Sequence, residues 1–82
     1  MTDLRVTYDA EANAAYVYFT DPQVRFRKVA HMYPCDPDKV DGMINLDFDE
    51  DMRLLGIEVL DARESLPQYL LDAAEPLNRG NA

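Results

Sequence analysis

The sequence predicts a two-layer α+β domain: an antiparallel five-stranded meander sheet with one C-terminal helix packed on one of its faces. Between Leu4 and Leu60, apolar residues recur with a period of two in short runs divided by turn formers, which is the pattern of half-buried strands. After Asp61 the period lengthens to that of a helix. With 82 residues, the chain has room for one domain, read as residues 1–82 with a frayed tail at 78–82.

Leu4-Arg5-Val6-Thr7-Tyr8 alternates and is rich in β-branched and aromatic residues, so it reads as a strand with Leu4, Val6 and Tyr8 on one face. Asp9 to Asn13 are poor strand formers, and the Asp9 and Asn13 side chains can bond nearby amides in a tight turn. Ala14 to Phe19 is a second strand, with Ala15, Val17 and Phe19 on one face and Ala14, Tyr16 and Tyr18 on the other. Thr20 to Gln23, with Pro22 inside it, predicts a hairpin turn into a third strand from about Val24 to Met32. Lys28 interrupts the apolar side of that strand, as an inward charge at a sheet edge does.

Tyr33 to Gly42 holds two prolines, three aspartates and a glycine, and is predicted to be a loop. Met43 to Phe48 and Leu54 to Leu60 alternate on either side of Asp49-Glu50-Asp51-Met52-Arg53, which predicts a hairpin. Ser65 then fits a helix N-cap and Pro67 the first turn, while Leu66, Tyr69, Leu70, Ala73 and Leu77 recur as one apolar stripe that Pro76 ends. Val6, Val17, Phe26, Ile44, Leu46, Phe48, Leu55, Ile57 and Val59 are expected beneath that stripe, and the opposite face is expected open.

Eight basic residues against sixteen acidic ones give a net charge of −8, which argues against the phosphate backbone of a nucleic acid as the main target. The single cysteine, Cys35, cannot form an internal disulfide, so the chain suits a reducing compartment. The start of the sequence lacks the cationic and apolar segments of a secretory signal, and no apolar run is long enough to cross a bilayer. The expectation is a cytoplasmic protein with no membrane contact.

Tyr8 to Val17, Gly42 to Asp51 and Leu55 to Ala62 together resemble a family of short prokaryotic proteins, the domain of unknown function family 2283, the segment Gly56-Ile57-Glu58 followed by Leu60-Asp61-Ala62 being its more specific part. The resemblance implies a small β-rich cytoplasmic domain and carries over no catalytic residue. Asn13 stands where such sequences usually have an aspartate, and Met52 where a turn glycine is common. If the turn requires positive φ at Met52, that residue is strained.

On the open face, Tyr16, Tyr18, Arg25, Arg27, His31, Glu58 and Leu60 are the candidate interaction or ligand residues, because arginine and tyrosine together recognise anions and protein surfaces. Asp47, Asp49, Asp51 and Glu58 carry the acidic spacing of a helix-loop-helix calcium loop, but Met52 replaces the glycine that loop needs and strand residues follow it, so an acidic hairpin turn is expected. His31 and Cys35 are too few for a structural zinc site. No catalytic residue, metal or cofactor is assigned. The function expected is a noncatalytic protein-interaction module, working as a homodimer or binding a small basic protein as antitoxins do. The alternative is a small-ligand or cation-binding domain using the open face and the acidic turn.

Overall fold

The computed structural model describes residues 4–19, 28–40 and 43–77. Its strands are β1 (Arg5–Asp9), β2 (Ala14–Tyr18), β3 (His31–Pro34), β4 (Met43–Phe48), β5 (Leu54–Leu60) and β6 (Glu75–Pro76), with helices α1 (Ala62–Ser65) and α2 (Gln68–Ala73) between β5 and β6. They form a six-stranded mixed sheet in the order β3-β4-β5-β2-β1-β6.

The expected β-rich fold with helices at its C-terminal end is present, and the strand faces of the β1–β2 and β4–β5 hairpins fall as the alternation requires. The five-stranded antiparallel meander is corrected in two places. β2 pairs with β5, through Ala15↔Val59 and Val17↔Ile57, and β3 lies beyond β4 at the edge. β5 is the longest strand and its apolar residues fit β2, whereas every residue of the four-residue β3 is exposed. The second correction is β6, which runs parallel to β1 through Thr7↔Glu75 and Tyr8↔Pro76. Glu75 precedes a proline, which disfavours helix and holds it extended, so Pro76 ends the helix and also starts a strand.

The same effect divides the predicted helix. Leu66, immediately before Pro67, is extended at φ −111° and ψ 149°, so Ser65 closes α1 instead of capping a helix, and Pro67 is the N-cap of α2. This interruption resets the helical phase. Leu71 is buried, and Tyr69, expected in the stripe, is 75% exposed. Tyr33 and Pro34, expected in a loop, belong to β3; the expected start of that strand at Val24 lies outside the described residues.

The core is small: Ala15, Val59, Ala62 and Leu71, flanked by half-buried Tyr8, Ile44, Ile57 and Leu66. Leu55 is also buried, on the same face but towards the β4–β5 turn. Helices of four and six residues are about 6 and 9 Å long at ~1.5 Å per residue, whereas six strands at ~4.8 Å spacing span about 24 Å. Burial differs from strand to strand: on β2 and β5 the apolar-face residues Ala15, Leu55 and Val59 are buried, and on β1 and β4 they are not. Along β4, apolar Ile44, Leu46 and Phe48 are only half-buried while Asn45 and Asp47 are buried; along β1, Thr7 and Asp9 are buried while Val6 and Tyr8 are not.

Candidate functional site

Strand pairing sets Thr7, Tyr16, Glu58 and Asn45 in one row across the polar face, and Arg5, Tyr18, Gly56, Asp47 and Met32 in the next. Gly56 opens the space between them. A Cβ there would stand 2.6 Å from Tyr16 Oη and 2.7 Å from its Cζ, so the ring lies across the strand only because Gly56 has no side chain. Reaching over Gly56, the Tyr16 hydroxyl donates to Asp47 Oδ2 at 2.7 Å, and Asn45 Nδ2 donates to Glu58 Oε1 at 2.9 Å.

The contacts continue towards the other edge. The Tyr16 and Tyr18 rings meet at 4.6 Å between centroids, and the Arg5 guanidinium stands 4.9 Å from the Tyr18 centroid. Arg5 Nε also donates to Glu75 Oε2 at 3.0 Å, which links β1 to β6. Burial, then the hydrogen bond and charge of Asp47, hold the Tyr16 phenol well above its ordinary range. The hydrogen bond to Arg5 holds Glu75 below the usual carboxylate range.

Of the sequence-predicted residues, Tyr16, Tyr18, Glu58 and Leu60 come together on this face, all half-buried. His31 pairs with Phe48 and therefore points to the apolar face. Arg25 and Arg27 lie outside the described residues. Alternation puts Asn45 and Asp47 on the open face with the tyrosines, whereas Arg5 and Gly56 are not among the residues expected to act there; the legible signal for the close approach is Gly56, since a glycine inside a strand marks one.

The acidic turns are structural. Asp49 Oδ1 accepts from the amides of Asp51 and Arg53, each at 2.9 Å, and Asp9 Oδ1 accepts from those of Glu11 and Ala12 at 3.1 Å. Asn13, at φ 55°, ties the first turn to α1: its Oδ1 accepts from the Arg63 amide at 2.9 Å and its carbonyl from Ala62. Among the described residues, no three His, Cys, Asp or Glu side chains are grouped to hold a metal ion. A depression of about 170 Å³, lined in part by Thr7, Asp9, Tyr16, Tyr18 and Glu58, lies below the ~300 Å³ at which small-molecule pockets begin. No helix among the described residues is long and apolar enough to cross a membrane.

Each edge of the sheet carries a proline facing outward. Cys35 N–H donates to Ile44 O, so His31, Tyr33 and Cys35 turn their backbone groups to β4 and Met32 and Pro34 turn theirs away. Leu77 N–H donates to Tyr8 O, which leaves Pro76 outward on β6. Proline has no N–H to offer, so both edges are poor templates for another strand.

The fold and this face define a small open-sheet domain whose polar face is knitted to itself. The chain belongs to the family described as "Protein of unknown function (DUF2283)", which it matches over residues 5–63. No curated protein and no solved structure matches it.

Proposed function

We propose that this domain is a noncatalytic protein-interaction module that works by association. The observation that carries the reading is the burial along β1 and β4: the polar face is closed by its own hydrogen bonds, while Val6, Leu46 and Phe48 on the apolar face are only half-buried. Leu4, Phe19, Val29 and Tyr33, at the margins of the described sheet, are exposed. A domain this small buries a limited share of its surface by itself, and exposed apolar area of this kind is a docking surface in a soluble protein. A homo-oligomer or an antitoxin-like complex with a basic protein both fit the reading, as does a cytoplasmic setting for a chain with one cysteine.

The alternative of a small-ligand or cation site has less support, because Asp9, Asp47, Asp49 and Glu58 are already hydrogen-bonded within the fold. Native mass spectrometry of untagged protein purified from its own host tests the proposal. A homo-oligomer or a stoichiometric complex with a second chain is expected; a bare monomer with no copurifying chain would overturn it.

A further inference from the structure

We infer that residues 75–77 form a strap that opens off β1 while the rest of the sheet stays folded, and that the ion pair between Arg5 and Glu75 latches it shut. These residues lie at the end of the strand order, with β1 as their neighbour in the sheet. Two residue pairs, Thr7↔Glu75 and Tyr8↔Pro76, and the Leu77 N–H bond to Tyr8 O at 2.9 Å join them to it. Glu75 and Pro76 are exposed and Leu77 is 43% exposed, so little apolar burial resists opening. The chain just before them is anchored. Leu71 of α2 is buried in the core, and Ala74, extended at φ −71° and ψ 151°, is where the chain leaves the helix. Rotation at Ala74 frees the strap and leaves α2 in place.

Arg5 supplies the latch. Its Nε and Nη2 donate to the two carboxylate oxygens of Glu75 at 3.0 and 3.3 Å, and both side chains are about half exposed. An exposed pair of this kind gives a small and reversible bias towards the closed state. What the strap covers gives its opening a consequence. The bond at Tyr8 O turns the backbone groups of Val6 and Tyr8 to this edge, and β1 holds no proline. Pro76 therefore guards the edge only while the strap is closed; with the strap open, β1 is a template for an added strand. Leu77 also borders the depression lined by Thr7 and Asp9, and these two polar residues are 2% and 6% exposed with the strap in place. The strap controls access both to the β1 edge and to that end of the polar face. Opening of this kind requires no partner, so it is independent of the association reading.

The test is native-state hydrogen exchange of the full chain, followed by NMR in water and at low urea concentrations. The Leu77 amide is expected to exchange faster than the amides paired between β2 and β5, at a rate that low urea leaves unchanged, because a local opening exposes little surface. Glu75→Arg sets like charges against each other at a half-exposed site, so the fold survives, which circular dichroism checks. It is expected to speed Leu77 exchange by about two- to fivefold, and Arg5→Glu combined with Glu75→Arg to bring it back towards wild type, while β2–β5 exchange stays as it was. Leu77 protection equal to that of the β2–β5 amides, with the same urea dependence, makes the segment part of the cooperative sheet and overturns the strap. So does a wild-type Leu77 amide with no protection, since no closed state is then populated. Leu77 exchange unmoved by Glu75→Arg, or not recovered in the double variant, overturns the latch.

Discussion

Replacing Met52 by glycine should stabilise the domain. The β4–β5 turn closes with Met52 N–H donating to Asp49 O and Asp49 N–H donating to Arg53 O, each at 3.0 Å, and it holds Met52 at φ 63°. For a residue with a Cβ the left-handed region costs roughly 1–2 kcal/mol. Glycine removes that cost but loses more backbone freedom on folding, about 0.5–1 kcal/mol. At the midpoints the difference leaves a gain of about 0.75 kcal/mol, which at ~4–8 °C per kcal/mol raises Tm by roughly 3–6 °C for a domain of this size. Met52→Ala is the control: it keeps the strained φ and removes a side chain that is 59% exposed, so its effect should stay within about 0.5 kcal/mol. Urea titrations with unchanged m-values and thermal scans measure both variants. A Met52→Gly protein no more stable than wild type, or matched by Met52→Ala, would refute strain at this turn.

Gly56→Ala should cost about 1–3 kcal/mol, because the new methyl meets the Tyr16 ring; in a double-mutant cycle Tyr16→Ala should absorb much of that loss, and additive costs would sink the steric account. Tyr16→Phe should flatten the alkaline limb of the stability profile. Burial, then Asp47, holds the phenol above its ordinary value of 10.0 in the folded state, so its contribution is full below pH 10 and is lost as pH rises through the folded value; an unchanged limb in pH-dependent urea titrations would contradict a phenol held above its ordinary range. Asn13→Ala removes the side-chain acceptor of the Arg63 amide, and with it a cap worth about 1 kcal/mol, so hydrogen exchange should quicken in α1 before it does in β5.

The sequence made the strands legible because their period is local. Val6 and Tyr8, Ala15 and Val17, and Leu55, Ile57 and Val59 fall on the face that their alternation assigns. Strand order was not legible, since the choice of β5 over β3 as neighbour of β2 depends on non-local pairings such as Ala15↔Val59. Pro67 and Pro76 were read for the N–H they lack, but each acts mainly on the residue before it: Leu66 becomes extended and breaks the helix, and Glu75 becomes extended and joins β1. For the candidate site, Tyr16, Tyr18 and Glu58 were found by sharing one face, but their partners lie on other strands. Asp47 is thirty-one residues from Tyr16, and only Gly56 hinted at the ring lying between them.

If the domain works as a homodimer, stability must depend on concentration, because unfolding then separates the chains. Each tenfold rise in protein concentration favours the dimer by ~1.4 kcal/mol. Two chains of 82 residues unfold together, and for that size 1 kcal/mol corresponds to roughly 2–4 °C in Tm. Tm should therefore rise by about 3–6 °C per tenfold increase in concentration. Met52→Gly, which relieves strain within one chain, should shift Tm upward and keep that slope. The contrast separates strain within a chain from cohesion between chains, and a Tm independent of concentration in the wild type would count against a homodimer.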